Sequence, residues 1–110
     1  MDRRGRTITL TTTGFSEPVF LCPNANTLHM VLVTPKAGYA RLEYTYDPPS
    51  RIRNYPHSVA WIEHDAGAIR TDMGDCLWGE PSAIRLRLCG PHAEASLTIK
   101  PYQPERVDNP

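Results

Sequence analysis

Apolar residues recur at every second position along most of this chain, and that spacing decides what it can fold into. In TITLTTT (residues 7–13), Ile8 and Leu10 share one face while Thr7, Thr9 and Thr11 take the other. AGYARLEYTY (37–46) alternates Ala40, Leu42, Tyr44 and Tyr46 with Arg41, Glu43 and Thr45. SAIRLRLC (82–89) sets Ile84, Leu86 and Leu88 against Arg85 and Arg87, and AEASLTIK (93–100) sets Ala93, Ala95, Leu97 and Ile99 against Glu94, Ser96, Thr98 and Lys100. Such alternation places every apolar side chain on one side of a pleated strand and predicts a half-buried sheet. TLHMVLVT (27–34) differs: Leu28, Met30 and Leu32 lie opposite His29, Val31 and Val33, so it reads as a strand buried on both faces.

Turn formers punctuate these runs: GFSEP, CPNAN, TPKAG, YDPPS, HDAG, DMGD, GEPS and CGPH. Glycine supplies positive φ, proline pre-sets its own φ, and Asn or Asp closes turns locally. No stretch holds an i, i+3, i+4, i+7 apolar pattern over a helix length, and residues 59–64 around Trp61 and Ile62 read as a strand. The expectation is an all-β fold, an antiparallel β-sandwich or jelly-roll-like barrel of about 7–9 strands with essentially no helix. The expected core is Ile8, Leu10, Val19, Leu21, Leu28, Met30, Leu32, Leu42, Tyr44, Trp61, Ile84, Leu86, Leu88, Leu97 and Ile99. A chain of 110 residues closes one such core and no more. Residues 7–100 form the expected domain, 1–6 a polar, basic N-terminal arm, and the proline-rich 101–110 an extended tail.

Charge narrows the functional classes. Twelve basic and twelve acidic residues cancel, so the basic surplus of a phosphate-backbone binder is missing and no nucleic-acid partner is expected. The basic side is lopsided, ten arginines against two lysines, and arginine's planar fork suits protein interfaces. No apolar run reaches signal-peptide or membrane-span length, so no membrane partner is expected. Of the three cysteines, Cys22 and Cys89 end strand-like runs and read as buried small hydrophobes in a reducing compartment.

The residues offer little chemistry. No G-x-S-x-G elbow surrounds Ser16, Ser50, Ser58, Ser82 or Ser96, and pairing Cys76 with His57, His64 or His92 has no supporting local pattern. His57, His64, Asp65, Asp72, Asp75 and Cys76 crowd one region without zinc or calcium spacing. No glycine-rich phosphate loop precedes a helix. The expectation is no catalytic residue, no metal ligand and no cofactor, and a function exercised by binding. Among the aromatics, Trp78 in CLWGEP and Tyr55 in RIRNYP lie in loop-like stretches and are the candidate exposed contacts, Tyr55 beside Arg51 and Arg53.

The order of segments carries a resemblance. A Thr-rich first strand precedes GFSEPVFL, then come LEYTYDPP, the Trp-bearing SVAWIEH, PSAIRLRLCG and a final ASLTIKPYQ. Over residues 7–103 this resembles small β-sandwich decoration (cement or staple) proteins that lock tailed-bacteriophage capsids from outside. The resemblance implies a structural virion protein on the capsid surface, made in the host bacterial cytoplasm. Its implied partners are major capsid protein subunits; self-association is expected as a homodimer first, because twofold contacts are commonest, and a trimer second. Shell contacts are then expected from Arg3, Arg4, Arg6, Arg51, Arg53, Tyr55, Tyr102 and Gln103. Two alternatives stay open: a carbohydrate-binding module stacking sugars on Trp78 and Tyr55, and a tail or adaptor component of a virion.

Overall fold

A computed structural model describes residues 6–21, 28–77 and 81–102 of the chain. Among these described residues seven antiparallel strands form one sheet: β1 (Arg6–Leu10), β2 (Gly14–Phe15), β3 (Val19–Phe20), β4 (Leu28–Thr45), β5 (Ile62–Glu63), β6 (Met73–Leu77) and β7 (Ala83–Tyr102). The two long strands organise everything else. β4 and β7 pair along their whole length, from Leu28 opposite Tyr102 to Thr45 opposite Ala83. β1 adds to the second half of β7, β2 and β3 to its first half, and β6 and β5 to the first and second halves of β4.

Each long strand joins two runs that the sequence pattern separates. The stretches TPKAG and CGPH are corners within strands, not turns between them. At the corner, residues 90–93 of β7 face the single residue Gly38 of β4, since Ala37 pairs with Glu94 and Tyr39 with Cys89. Such bulges bend a sheet sharply and shift the phase of its alternation. Inward positions are accordingly odd in the first half of β4 (Val31, Val33) and even in the second (Ala40, Leu42). In β7 they run from Ile84, Leu86 and Leu88 to Ala93, Ala95, Leu97 and Ile99.

The bend folds the sheet onto itself. His64, whose N–H donates to Leu42 O in the second half, meets Asp75 of β6, which pairs with Val31 in the first half. Between the two layers lies one continuous core, with Val33, Leu42, Ile84, Leu86 and Leu97 wholly buried. Each such side chain contributes about 1.5–3 kcal/mol of transfer free energy. Polar groups inside are mostly answered. Ser16 Oγ accepts from the Leu86 N–H at 2.9 Å and donates to Glu17 O at 3.0 Å, and Thr45 Oγ1 accepts from the Asp47 N–H at 3.1 Å. His29 Nδ1 is buried without a partner among the described residues, and burial pushes that imidazole's pKa down by disfavouring its charged form.

Several expectations are corrected. Met30 and Leu32 are 43% and 42% exposed, because the corner's phase shift commits Val31 and Val33 inward and no described element covers the opposite face. Leu28 is half-buried, and Trp61 leaves the core for the outer side of the second layer, where it stacks on Arg85. Cys89 is half-buried and Cys76 exposed, both as free thiols, while Cys22 lies outside the described residues. The strand expected over 59–64 shrinks to Ile62–Glu63, because the Asp47 carboxylate accepts the Ala60 N–H at 3.0 Å and holds the preceding backbone in a loop.

That loop contains a short helix, α1 (Pro49–Asn54), followed by a 3-10 turn at Pro56–Ser58. Proline in the first turn suits helix initiation, Ile52 anchors the helix by burial, and Arg51 and Arg53 sit favourably in the last turn. At the chain's far end, β7 runs two residues into the expected tail, with Pro101 opposite His29. Beyond Ile99 no described strand flanks β7 on the β1 side, which is where a strand tolerates proline.

Candidate functional site

Alternation sends Arg41 and Glu43 of β4, Arg85 and Arg87 of β7, Phe15 of β2 and Glu63 of β5 to the outer face of the second layer. The register sets like charges opposite each other, Arg41 against Arg87 and Glu43 against Glu63. Direct neighbours of one sign are destabilising, and this face resolves them with two ion pairs. Arg85 Nε donates to Glu43 Oε1 at 2.6 Å, and Arg41 Nη1 donates to both Glu63 carboxylate oxygens at 3.2 Å.

Aromatic rings complete the arrangement. The Arg85 guanidinium lies 3.9 Å from the Phe15 ring centroid and 4.2 Å from that of Trp61. Arg87 approaches Phe15 at 5.4 Å and has no carboxylate partner among the described residues. Arg41 and Arg70 share Tyr39, at 5.8 and 4.6 Å, and Arg53 of α1 covers Phe20 at 4.3 Å. Each contact contributes about 0.5–2 kcal/mol depending on its dryness. Together they hold long side chains in fixed poses before any partner arrives, while Phe15 stays 51% exposed. In these contacts five arginines stand with two glutamates, an arginine-rich cluster in a chain of zero net charge.

Acidic side chains gather at the edge where the layers meet. An open cleft of about 180 Å³ is lined by Tyr44, Tyr46, His64, Asp65, Asp75, Leu77 and Pro81. The tyrosine rings meet edge to face at 5.8 Å. His64 Nδ1 accepts the Ala66 N–H at 3.0 Å, so the neutral ring carries its proton on Nε2 and donates it to Asp75 Oδ2 at 2.6 Å. Both ring nitrogens are occupied, and neither is placed to take a proton from a nucleophile. Alternation sends Cys76 away from Asp75, so the drawn Cys76–His64 dyad does not form. Among the described residues no three His, Cys, Asp or Glu side chains are arranged to hold a metal ion.

Asp75 is held below the usual carboxylate pKa by the His64 hydrogen bond first and the Cys76 N–H second. A carboxyl depressed in the folded state adds stability above its unfolded pKa and loses it as pH falls through the folded value. Wild type is therefore expected to lose its small stability advantage over Asp75→Ala as pH falls below the ordinary carboxylate value of about 4. Thermal melts across that fall in pH check this, and a gap that does not narrow contradicts it. Asp75 is 43% exposed, which keeps the effect small.

Of the residues proposed from sequence, Arg6 is exposed at the start of β1, and Arg51, Arg53 and Tyr55 are exposed around α1. Register places Arg6, α1 and the backbone of Tyr102 at the same end of the sandwich, away from the Gly38 corner. Only Arg53 reaches the arginine-rich face. Arg3, Arg4, Trp78 and Gln103 lie outside the described residues. Phe15, Tyr39, Arg41, Arg70, Arg85 and Arg87 escape a motif search because they come from separate strands and loops. Their signal was the Arg-rich solvent side of the alternation. No family model matches this chain, and no curated protein or solved structure matches it either.

Proposed function

We propose that this chain is a non-catalytic binding protein whose arginine–aromatic face docks on an acidic protein surface. The observation that carries this is the Phe15–Arg85–Trp61 stack, locked by Glu43 and flanked by Arg87, which has no carboxylate partner among the described residues. Arginine and aromatic residues dominate the energetics of protein interfaces, and pre-ordered side chains lose less entropy on docking. A single-stranded nucleic acid would need open ring faces for base stacking. Here guanidinium groups already lie against the Phe15 and Trp61 rings, which favours a protein.

The resemblance to phage decoration proteins makes a capsid's outer surface the partner to test first. The test is gradient sedimentation of the native source lysate, with mass spectrometry for this chain. Co-migration in many copies with a large protein particle, lost in Arg87→Glu without a change in melting temperature, supports the reading. A chain that stays at the top of the gradient overturns the particle role. The cleft favours a second reading, carbohydrate binding, because tyrosine faces beside two carboxylates offer stacking and hydroxyl acceptors. That reading predicts glycan binding lost in Tyr46→Ala.

A further inference from the structure

The outer face of the first layer has a different character from the arginine-rich face. Its cross-strand rows are Thr7–Thr98–Leu32–Gly74 and Thr9–Ser96–Thr34. The hydroxyls pair across strands, Thr7 Oγ1 with Thr98 Oγ1 at 3.0 Å and Thr9 Oγ1 with Ser96 Oγ at 2.9 Å. These bonds satisfy one another, while exposed Leu32 and Met30 add apolar area beside them. Both central rows are free of charge. Along β7, however, the outward ridge begins with Glu94 and ends with Lys100, one charge at each end.

We infer that this face is the contact between two copies of the chain, packed face to face about a twofold axis. The argument is charge complementarity fixed by register. Val33 pairs with Leu97 at the centre of the layer. A half-turn about an axis crossing the strands at that row lays β7 antiparallel over β7 of the second copy. Each Lys100 then stands over the other copy's Glu94, and Ser96 stands over Thr98. Glu94 is already 3.6 Å from Lys36, a 76%-exposed partner, and its carboxylate has acceptor capacity for a second ammonium. The arginine-rich face cannot serve in the same way, because a twofold axis there sets arginine surplus against arginine surplus.

The geometry also sets the strength. Strands about 4.8 Å apart and outward rows about 6.8 Å apart make a patch of roughly 20 by 20 Å. That is small beside the ~800 Å² per partner of a standard interface, so a micromolar dimer is expected. Such a dimer carries an arginine-rich face on each outer side and binds repeated acidic surfaces with avidity.

Sedimentation velocity of the full-length chain over about 1–500 µM tests this without any other partner. Wild type is expected to show a reversible monomer–dimer equilibrium. Leu32→Arg, at an exposed position, is expected to stay monomeric with an unchanged melting temperature. Glu94→Lys and Lys100→Glu should each weaken dimerisation about tenfold, since each is felt at two symmetric contacts. The double exchange should restore it to within about threefold. A wild-type chain that is monomeric throughout overturns the inference. So does a dimer indifferent to Leu32→Arg, or a double variant no tighter than the singles.

Discussion

Gly38→Ala is expected to lower the melting temperature by about 15 °C or more, while Gly67→Ala lowers it by only about 5 °C. Both glycines have φ in the left-handed region, +71° and +63°, so both substitutions carry the same backbone strain of about 1–2 kcal/mol. They differ in what the new methyl meets. At Gly38 it lands 2.6 Å from Ala93 Cβ and 2.6 Å from Cys89 O, whereas at Gly67 nothing lies within 4 Å. The carbonyl belongs to β7 at the corner and cannot yield without opening the bend. Overpacking of that kind adds about 1–3 kcal/mol. Equal losses for the two variants in thermal or urea unfolding would show that the corner is not closely packed.

Val33→Asp is expected to abolish cooperative folding, and Leu32→Asp to leave monomer stability within about 0.5 kcal/mol. The two residues are neighbours on one strand, both aliphatic, and indistinguishable by composition. Val33 is wholly buried with Val31 against Leu97, and a carboxylate there would be stranded without a partner, at a cost of several kcal/mol. Leu32 is 42% exposed over Gly74, where a carboxylate stays in water. Circular dichroism during urea titration reads the difference. Similar destabilisation by both would mean that the strand is buried on its two faces.

That pair of residues also shows how much the sequence discloses. In β7 the alternation of Ile84, Leu86 and Leu88 with Arg85 and Arg87 names the buried face correctly, because the outward residues are charged. In TLHMVLVT both faces are apolar, so period two alone cannot choose between Leu32 and Val33. The choice is made by the corner, where the bulge shifts phase, and the shift is visible in sequence only once TPKAG and CGPH are taken as one bend. The helix α1 is hidden for another reason. Its six residues are too few for an amphipathic period, and it depends on Ile52 burial and on a loop tied by Asp47. The arginine-rich face is half legible: Arg41, Arg85 and Arg87 stand on the solvent side of readable strands. Phe15, Trp61 and Arg70 join them only through register and loop closure, which no local pattern encodes. Net charge misleads here, since a total of zero conceals arginine-rich and acidic surfaces on different sides of one small body.

We propose the second layer's outer face as the place where a partner docks. The most direct measurement places a photo-crosslinking phenylalanine analogue at Phe15 in one variant and at Tyr46, in the cleft, in another. Each is irradiated in the native source lysate, and adducts are identified by mass spectrometry. Docking on that face requires that the Phe15 position capture one acidic protein, and that Arg87→Glu in the same chain abolish the adduct. Capture of a partner from the Tyr46 position alone, with Phe15 unreacted, would contradict it and move the function to the cleft.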